Sequence, residues 1–405
     1  MRIRSISLLV LGLLAPLGLA SGASAQGTYD PGASDTEIKV GNILAYSGPV
    51  SSLGVIGRVE AAYFKKINDE GGINGRKINF ISYDDAYSPP KTVEQARRLV
   101  ESDEVLLIFN PVGTPTNAAI QKYMNSKKVP QLFVGGGATR WDNPAGFPWT
   151  MGFQPNYQAE GRIFAKYILK EKPGAKIAVL FQNDDLGKDY LKGLKDGLGE
   201  HASAIAMEEG YEVSQPTIDS NIVKLRASGA DVFVSIALPK VAAQSIRKVA
   251  ELGWKPMFIL SSIGASIGTV IRPAGFENAQ GIISTMYLKD PSDPQWQDDD
   301  DNKRFEAFLA KYLPDVDKND YFVTYGYVVS QTLVKVLQQC GSDLTRANVM
   351  RQAANLNFRP DMLLPGVNIT TSPSDFAPMK ELRMVRLKGE RWETFGDVAS
   401  SVTKR

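Results

Sequence analysis

From Ile38 onward the chain alternates between short apolar runs and longer stretches whose apolar residues recur every three or four positions. Ile38 to Leu44 alternates like a strand, and Val55 to Asn68 then sets Val59, Ala62, Tyr63 and Ile67 on one helical face. A Gly/Ser loop, Ser47 to Gly54, lies between them, and Gly71 to Gly75 follows as a stop with an Asn-Gly turn. The rhythm repeats. Lys77 to Tyr83, Val105 to Phe109, Gln131 to Val134, Lys176 to Phe181, Asp231 to Ile236 and Pro256 to Leu260 predict strands. Pro89 to Ser102, Thr116 to Asn125, Gln158 to Leu169, a segment ending at Leu198, and Lys240 to Leu252 predict the intervening helices. Further helices are expected over Asn302 to Tyr312, Phe322 to Gln339 and Thr345 to Asn355. Strands alternating with helices predict an α/β fold of parallel sheets covered on both faces. The strands outnumber one comfortable sheet and 405 residues suffice for two domains, so two doubly wound lobes are expected.

The N-terminus has a different character. Arg2 and Arg4 precede an apolar run, Ile6 to Ala20, and Ala23-Ser24-Ala25 offers an A-x-A cleavage site. That is the layout of a signal peptide over residues 1–25, so the mature chain is expected to be exported and soluble. Cys340 stands alone, which excludes an intrachain disulfide and cysteine-rich metal sites, and the lone His201 excludes a His-rich metal centre. Without Arg2 and Arg4 the 46 basic residues fall level with the 44 acidic ones. That balance gives no electrostatic case for nucleic acid or an anionic membrane.

Gly264-Ala265-Ser266-Ile267-Gly268 matches the G-x-S-x-G nucleophile elbow, but a hydrolase of that type needs its His after the Ser, and His201 lies upstream. The motif is read as a small-residue turn and the chain as no enzyme. Gly135-Gly136-Gly137 belongs to no phosphate-loop pattern, so no nucleotide, other cofactor or metal is expected. The pairs Asp84-Asp85 and Asp184-Asp185 end two strands and read as helix caps or ligand hydrogen-bonders rather than acid–base machinery. Asp298 to Asp301 reads as a capping loop. What remains is a set of polar, Gly-rich loops at strand C-terminal ends, where open α/β sheets hold ligands. The sharpest, Pro111 to Asn117, enters a helix through Thr114 and Pro115, and such an N-terminus attracts a carboxylate.

Several stretches carry a family resemblance. Ile38-Lys39-Val40-Gly41 followed by Ser47-Gly48-Pro49, Ile67 to Arg76, Tyr83-Asp84-Asp85, Tyr87 to Leu99, Lys176 to Gly187 and Asp231 to Gly253 resemble type I periplasmic solute-binding proteins of the leucine/isoleucine/valine-binding class. The resemblance implies two lobes joined by a hinge that close on a ligand. Residues 36–154 plus 285–366 would form the N-terminal lobe, and 155–284 plus 367–400 the C-terminal one. It also implies a periplasmic protein that delivers its ligand to an ABC importer permease in the inner membrane; a monomer is expected because each lobe must move. By position, the ligand carboxylate falls to Thr114 and to the loop of Gly136, Gly137, Ala138 and Thr139, with Tyr46, Leu53 and Tyr325 beside it. Asp185, Leu186, Ala237 and Ser262 answer from the second lobe.

Two departures from the family pattern matter. Leu260-Ser261-Ser262-Ile263 lacks the acid that amino-acid binders place there for the ammonium group, and Ala237 stands where they often carry Tyr. A buried ammonium without a counter-charge is costly. The expected ligand is therefore a small organic acid without a paired α-amino group, with Trp141, Tyr46, Tyr87, Tyr325 and Phe322 as aromatic surfaces near the loops. Two alternatives stay open. One is a branched-chain or other amino acid whose ammonium meets Asp184 or Asp185; the other is a ligand-sensing partner of a membrane receptor.

Overall fold

The structure, a computed structural model, describes residues 27–400; the expected signal peptide lies outside them. Strand β1 (Thr28–Tyr29) ties down the start of the described chain. A five-stranded, all-parallel sheet follows, with the order β3-β2-β4-β5-β6. Its strands are β2 (Glu37–Leu44), β3 (Lys77–Asp84), β4 (Leu107–Phe109), β5 (Gln131–Val134) and β6 (Thr150–Gly152). The crossovers are α1 (Val55–Asp69), α2 (Pro89–Arg97) and α3 (Thr114–Lys127).

The second lobe is built on a sheet of order β16-β15-β11-β10-β9-β7-β8. β7 (Ile177–Gln182), β8 (Ile205–Tyr211), β9 (Val232–Ile236), β10 (Met257–Leu260) and β11 (Ile283–Met286) run parallel. They are linked through α5 (Asp185–Leu198), α6 (Asp219–Ala227), α7 (Pro239–Glu251) and the short α8 (Arg272–Ala274), and α4 (Tyr157–Glu171) leads into them. The chain then returns to the first lobe with α9 (Asp300–Tyr312) and α10 (Tyr321–Cys340), which packs on α1. β12 (Asp343–Leu344) pairs with β1, α11 (Arg346–Ala353) follows, and β13 (Asn357–Phe358) meets β14 (Ile369–Thr370). Finally β15 (Glu381–Lys388) and β16 (Arg391–Ser400) close an edge of the second sheet as an antiparallel hairpin.

Burial explains which strands the sequence announces. β4, β5, β7 and β9 lie between helix layers and are buried almost throughout, so they read as continuous apolar runs. β8 lies at the sheet edge, where residues alternate between partly covered and exposed, and its Glu208 and Glu209 hide the strand from a hydrophobicity reading. The β15–β16 hairpin escapes that reading for the same reason. Helices begin earlier than their apolar faces do, because a cap sets the start. Asp320 accepts from Phe322 N at 3.0 Å ahead of α10, and Asp299 accepts from Asn302 N at 3.2 Å ahead of α9.

One contiguous body of buried apolar side chains runs through both lobes, and a smaller cluster lies under α2 and α3. Among the described residues, no helix is long and apolar enough to cross a membrane. Both parallel sheets send their strand C-terminal ends toward the junction of the lobes, and the loops there form the candidate site.

Candidate functional site

The turn from β4 into α3 passes through Gly113, whose φ is +111°. A Cβ there would lie 2.5 Å from Thr116 Oγ1 and 2.6 Å from the Tyr87 ring, so conformation and space both demand glycine. No side chain caps the first turn of α3. Thr114, the first residue of that turn, is fully buried, and its hydroxyl makes no well-aligned hydrogen bond, with Tyr157 OH as its neighbour. Facing it is Gly136, in the loop after β5. A Cβ built on Gly136 would lie 3.3 Å from Tyr157 OH, 3.4 Å from Thr114 Oγ1 and 3.7 Å from Trp141 Nε1. The indole N–H of Trp141 is buried and also unpartnered. Three donors from three elements thus converge on the bare face of Gly136. Buried donors seek an acceptor, and the positive end of a helix dipole favours an anionic one. The arrangement suits a carboxylate.

Tyr157 starts α4, whose N-cap Asn156 accepts from Ala159 N at 3.1 Å. Its ring stacks on Tyr190 at 4.4 Å between centroids. Tyr190 OH in turn donates to Glu160 Oε2 at 2.6 Å. Glu160 accepts three further bonds, from Ser262 N at 2.8 Å, Ser262 Oγ at 2.9 Å and Thr285 Oγ1 at 2.7 Å. Burial pushes its carboxyl above the usual range, while these donors pull the other way. Tyr87, Tyr157, Tyr190, Tyr211, Tyr287, Tyr321 and Tyr325 are all buried around the junction, and burial raises each phenol further. They line it as neutral hydroxyls and apolar ring faces.

The expected site residues fall in different places. Thr114 and Gly136 meet at the cradle. Gly137 lets the crossover chain pass: a Cβ on it would lie 2.0 Å from Pro155 O, and its carbonyl accepts Tyr157 N at 2.7 Å. Ala138 follows, buried. Thr139 faces the other lobe, donating through its N–H and Oγ1 to Asp189 Oδ2 at 2.7 and 2.9 Å. Tyr325 is fully buried and donates to Asn110 Oδ1 at 2.9 Å, with Asn110 Nδ2 donating to the buried Glu60 at 2.6 Å. Leu53 is buried in the turn Ser51–Gly54.

Ala237 and Ser262 follow β9 and β10, and Ser262 is held by Glu160. Asp185 sits exposed on the rim, 2.9 Å from Arg140, where a cavity of about 390 Å³ opens between the lobes. Its neighbour Asp184 caps α5, accepting from Leu186 N at 2.9 Å above the buried Leu186 side chain. Tyr46 turns into the first lobe, its hydroxyl 2.6 Å from Ser82 Oγ beneath α1. Asp84 clamps that loop, accepting from Tyr46 N and Ser47 N at 2.8 and 3.1 Å. Ser266, the centre of the elbow-like motif, is fully buried. It donates to Asp320 at 3.2 Å and accepts from Thr269 N and Tyr321 N.

Sequence reasoning missed Tyr157, Glu160 and Asp189 as site residues. The start of α4 just after a crossover was a usable signal for Tyr157. Glu160 carried none, because a Glu in an amphipathic helix reads as exposed.

Comparisons with known proteins agree with this architecture. A family model described as periplasmic binding protein matches residues 37–391. The leucine-specific-binding protein of Salmonella typhimurium is 26% identical over 378 residues, covering 92% of this chain and 95% of that protein. A solved structure of a branched chain amino acid ABC transporter from Thermus thermophilus with bound valine has a TM-score of 0.81 at 17% identity, covering 90% of this chain and 97% of that one. A fatty acid ABC transporter substrate-binding protein from Thermomonospora curvata has a TM-score of 0.75 at 20% identity, covering 92% and 94%. With two parallel-sheet lobes meeting at their strand ends, the chain belongs to the periplasmic binding proteins, as a type I member of the leucine/isoleucine/valine-binding class.

Proposed function

We propose that this chain is exported, captures a small organic acid without a paired α-amino group between its lobes, and delivers it to an ABC importer permease. The observation that carries this reading is the convergence of Thr114 Oγ1, Trp141 Nε1 and Tyr157 OH on Gly136. The acids beside the cradle are already engaged. Glu160 has its oxygens filled by four donors, Asp184 is engaged as a cap, and Asp185 pairs with Arg140 at the rim. The surrounding tyrosines favour an aromatic or otherwise flat apolar body. With its hydroxyl occupied by caps, Ser266 supports a binding role over a hydrolytic one.

The test is a thermal-shift and calorimetric screen of the mature protein, unfolded and refolded to remove carried-over ligand. The panel holds benzoate- and cinnamate-type acids, aliphatic carboxylates and branched-chain amino acids. A non-amino acid is expected to bind at micromolar Kd, adding about 4 kcal/mol of stability at a thousandfold excess. A second reading, an amino-acid ligand, draws on the Salmonella relative's name and expects the opposite order. A shift with leucine alone would sink the organic-acid reading.

A further inference from the structure

The inner face of α1 carries a carboxylate. Glu60 is fully buried, and both its oxygens accept from side-chain amides, Oε1 from Asn110 Nδ2 at 2.6 Å and Oε2 from Asn42 Nδ2 at 3.2 Å. Asn42 Nδ2 also reaches Phe109 O and Asn110 O, at 3.0 and 3.3 Å, so it holds the end of β4 as well. On its other side the Asn110 amide accepts from Tyr325 OH of α10, at 2.9 Å. Buried polar groups satisfied in this way make a rigid network.

Asn110 is where the chain leaves β4 for the cradle. Its φ is +43°, a left-handed conformation that is costly for a residue with a Cβ. Such a backbone persists where its surroundings over-determine it. Here Glu60 and Tyr325 hold the side chain, while Asn42 and Leu132, whose carbonyl accepts Asn110 N at 2.9 Å, hold the backbone. Pro111 to Thr114, the first cradle loop, follows directly.

The second cradle loop rests on the same residue. A Cβ built on Gly135 would lie 2.8 Å from Asn110 Oδ1 and 2.6 Å from Val112 Cγ2, so the Asn110 amide lies against the bare backbone of Gly135. Gly135 N donates to Pro111 O at 2.9 Å, and Gly113 N donates to Gly135 O at 3.1 Å. The two loops are thus joined to each other one residue before Thr114 and Gly136, with Asn110 against the join.

We propose that Glu60 is a positioning residue for the cradle: without lining it, and acting through Asn110, it sets the spacing between Thr114 and Gly136. This rests on the carboxylate reading above and holds whatever the rest of the ligand is. Groups that must converge on one ligand atom need their places held to about 0.5 Å, which supporting residues provide.

The experiment is a double-mutant cycle on the refolded mature protein, read by calorimetry with benzoate, hexanoate and leucine as probes and by amide hydrogen exchange without ligand. Glu60→Met keeps the length of the side chain and removes its acceptors. Asn42 Nδ2 then still has Phe109 O and Asn110 O, so Asn110 Nδ2 is the donor left unpaired. Affinity for the probe that binds the wild type should fall about tenfold. Exchange should rise at residues 110–114 and 134–137 while α1 keeps its protection. Asn110→Gly suits the positive φ and deletes the amide; added to it, Glu60→Met should change affinity less than about twofold. Should Glu60→Met fail to fold, Glu60→Gln, which retains one acceptor, enters the same cycle. Losses that multiply in the double variant overturn the inference, Glu60 then acting through the packing of α1. Exchange that rises over α1 as much as over the loops overturns it too, as does an affinity unchanged in Glu60→Met; in each case binding by the wild type leaves the carboxylate reading standing. Absence of binding by the wild type to all three probes overturns both.

Discussion

Thr139 donates its backbone N–H and its hydroxyl to the same oxygen of Asp189, at 2.7 and 2.9 Å. Thr139 belongs to the loop after β5 of the first sheet, and Asp189 to α5 of the second lobe. The other Asp189 oxygen accepts from Gln158 Nε2 at 2.7 Å, which fixes the carboxylate in place. The pair therefore joins α5 to the loop after β5, three residues from the cradle at Gly136.

Asp189→Ala should favour the open form. Ligand affinity is expected to fall about tenfold, mainly through faster dissociation, with a larger radius of gyration in solution scattering. Arg140→Ala removes an exposed ion pair with Asp185, a 3.2 Å bond to Gln121 Oε1 and a contact over the Trp141 ring, and should cost less, about threefold in affinity. Stopped-flow dissociation rates separate the two.

The face of Gly136 offers a sharper probe. A Cβ there is tight only against Tyr157 OH, at 3.3 Å, which a small shift of that ring relieves, so Gly136→Ala should fold with a Tm within a few degrees of wild type, about 4 °C or less. The methyl occupies the space where a carboxylate would lie, so binding should weaken by about a hundredfold, or about 2.7 kcal/mol. Thr114→Val keeps the shape and removes one donor, for an expected loss of about tenfold. Calorimetry against the best ligand of the panel reads both.

Glu160 organises the second lobe's side of the cleft. In Glu160→Gln an amide N–H₂ replaces one oxygen and must face two of the four donors. The hydroxyls of Tyr190, Ser262 and Thr285 can rotate to accept, whereas Ser262 N cannot. The expected cost is about 2 kcal/mol, measured as a lower denaturant midpoint at unchanged slope.

Asp320 supplies a pH test. Burial raises its carboxyl from 3.8 to about 6, against the opposing bonds from Phe322 N and Ser266 Oγ. The folded chain holds this proton more tightly than the unfolded one, so the group's contribution is complete below about pH 4 and lost as pH rises through about 6, a swing of about 3 kcal/mol. Asp320→Asn keeps an acceptor for Phe322 N and removes the titration. Its stability relative to wild type should improve from pH 4 to pH 7; a constant difference across that range would refute the assignment.

By itself the sequence determined the architecture and the local geometry of the loops. Apolar runs spaced by amphipathic segments encode two parallel sheets with helical crossovers, because each element's own periodicity reports which of its faces is covered. Gly113-Thr114-Pro115 and Gly135-Gly136-Gly137 were legible as tight loops at strand ends because glycine and proline act on their own backbone. The edge strands β8 and β16, and β15 paired inside β16, were not, since exposure on one side dilutes the apolar signal.

Only the tertiary structure decided which side chains share the cleft. It brought Tyr157 and Trp141 to Thr114, carried Glu160 to Ser262 across 102 positions of sequence, and set Asp189 against Thr139. It also turned Tyr46 inward and left Asp185 on the rim. Periodicity describes an element alone. A hydrogen bond between elements depends on the distance and orientation that packing imposes, and neither is written in the residues that make it.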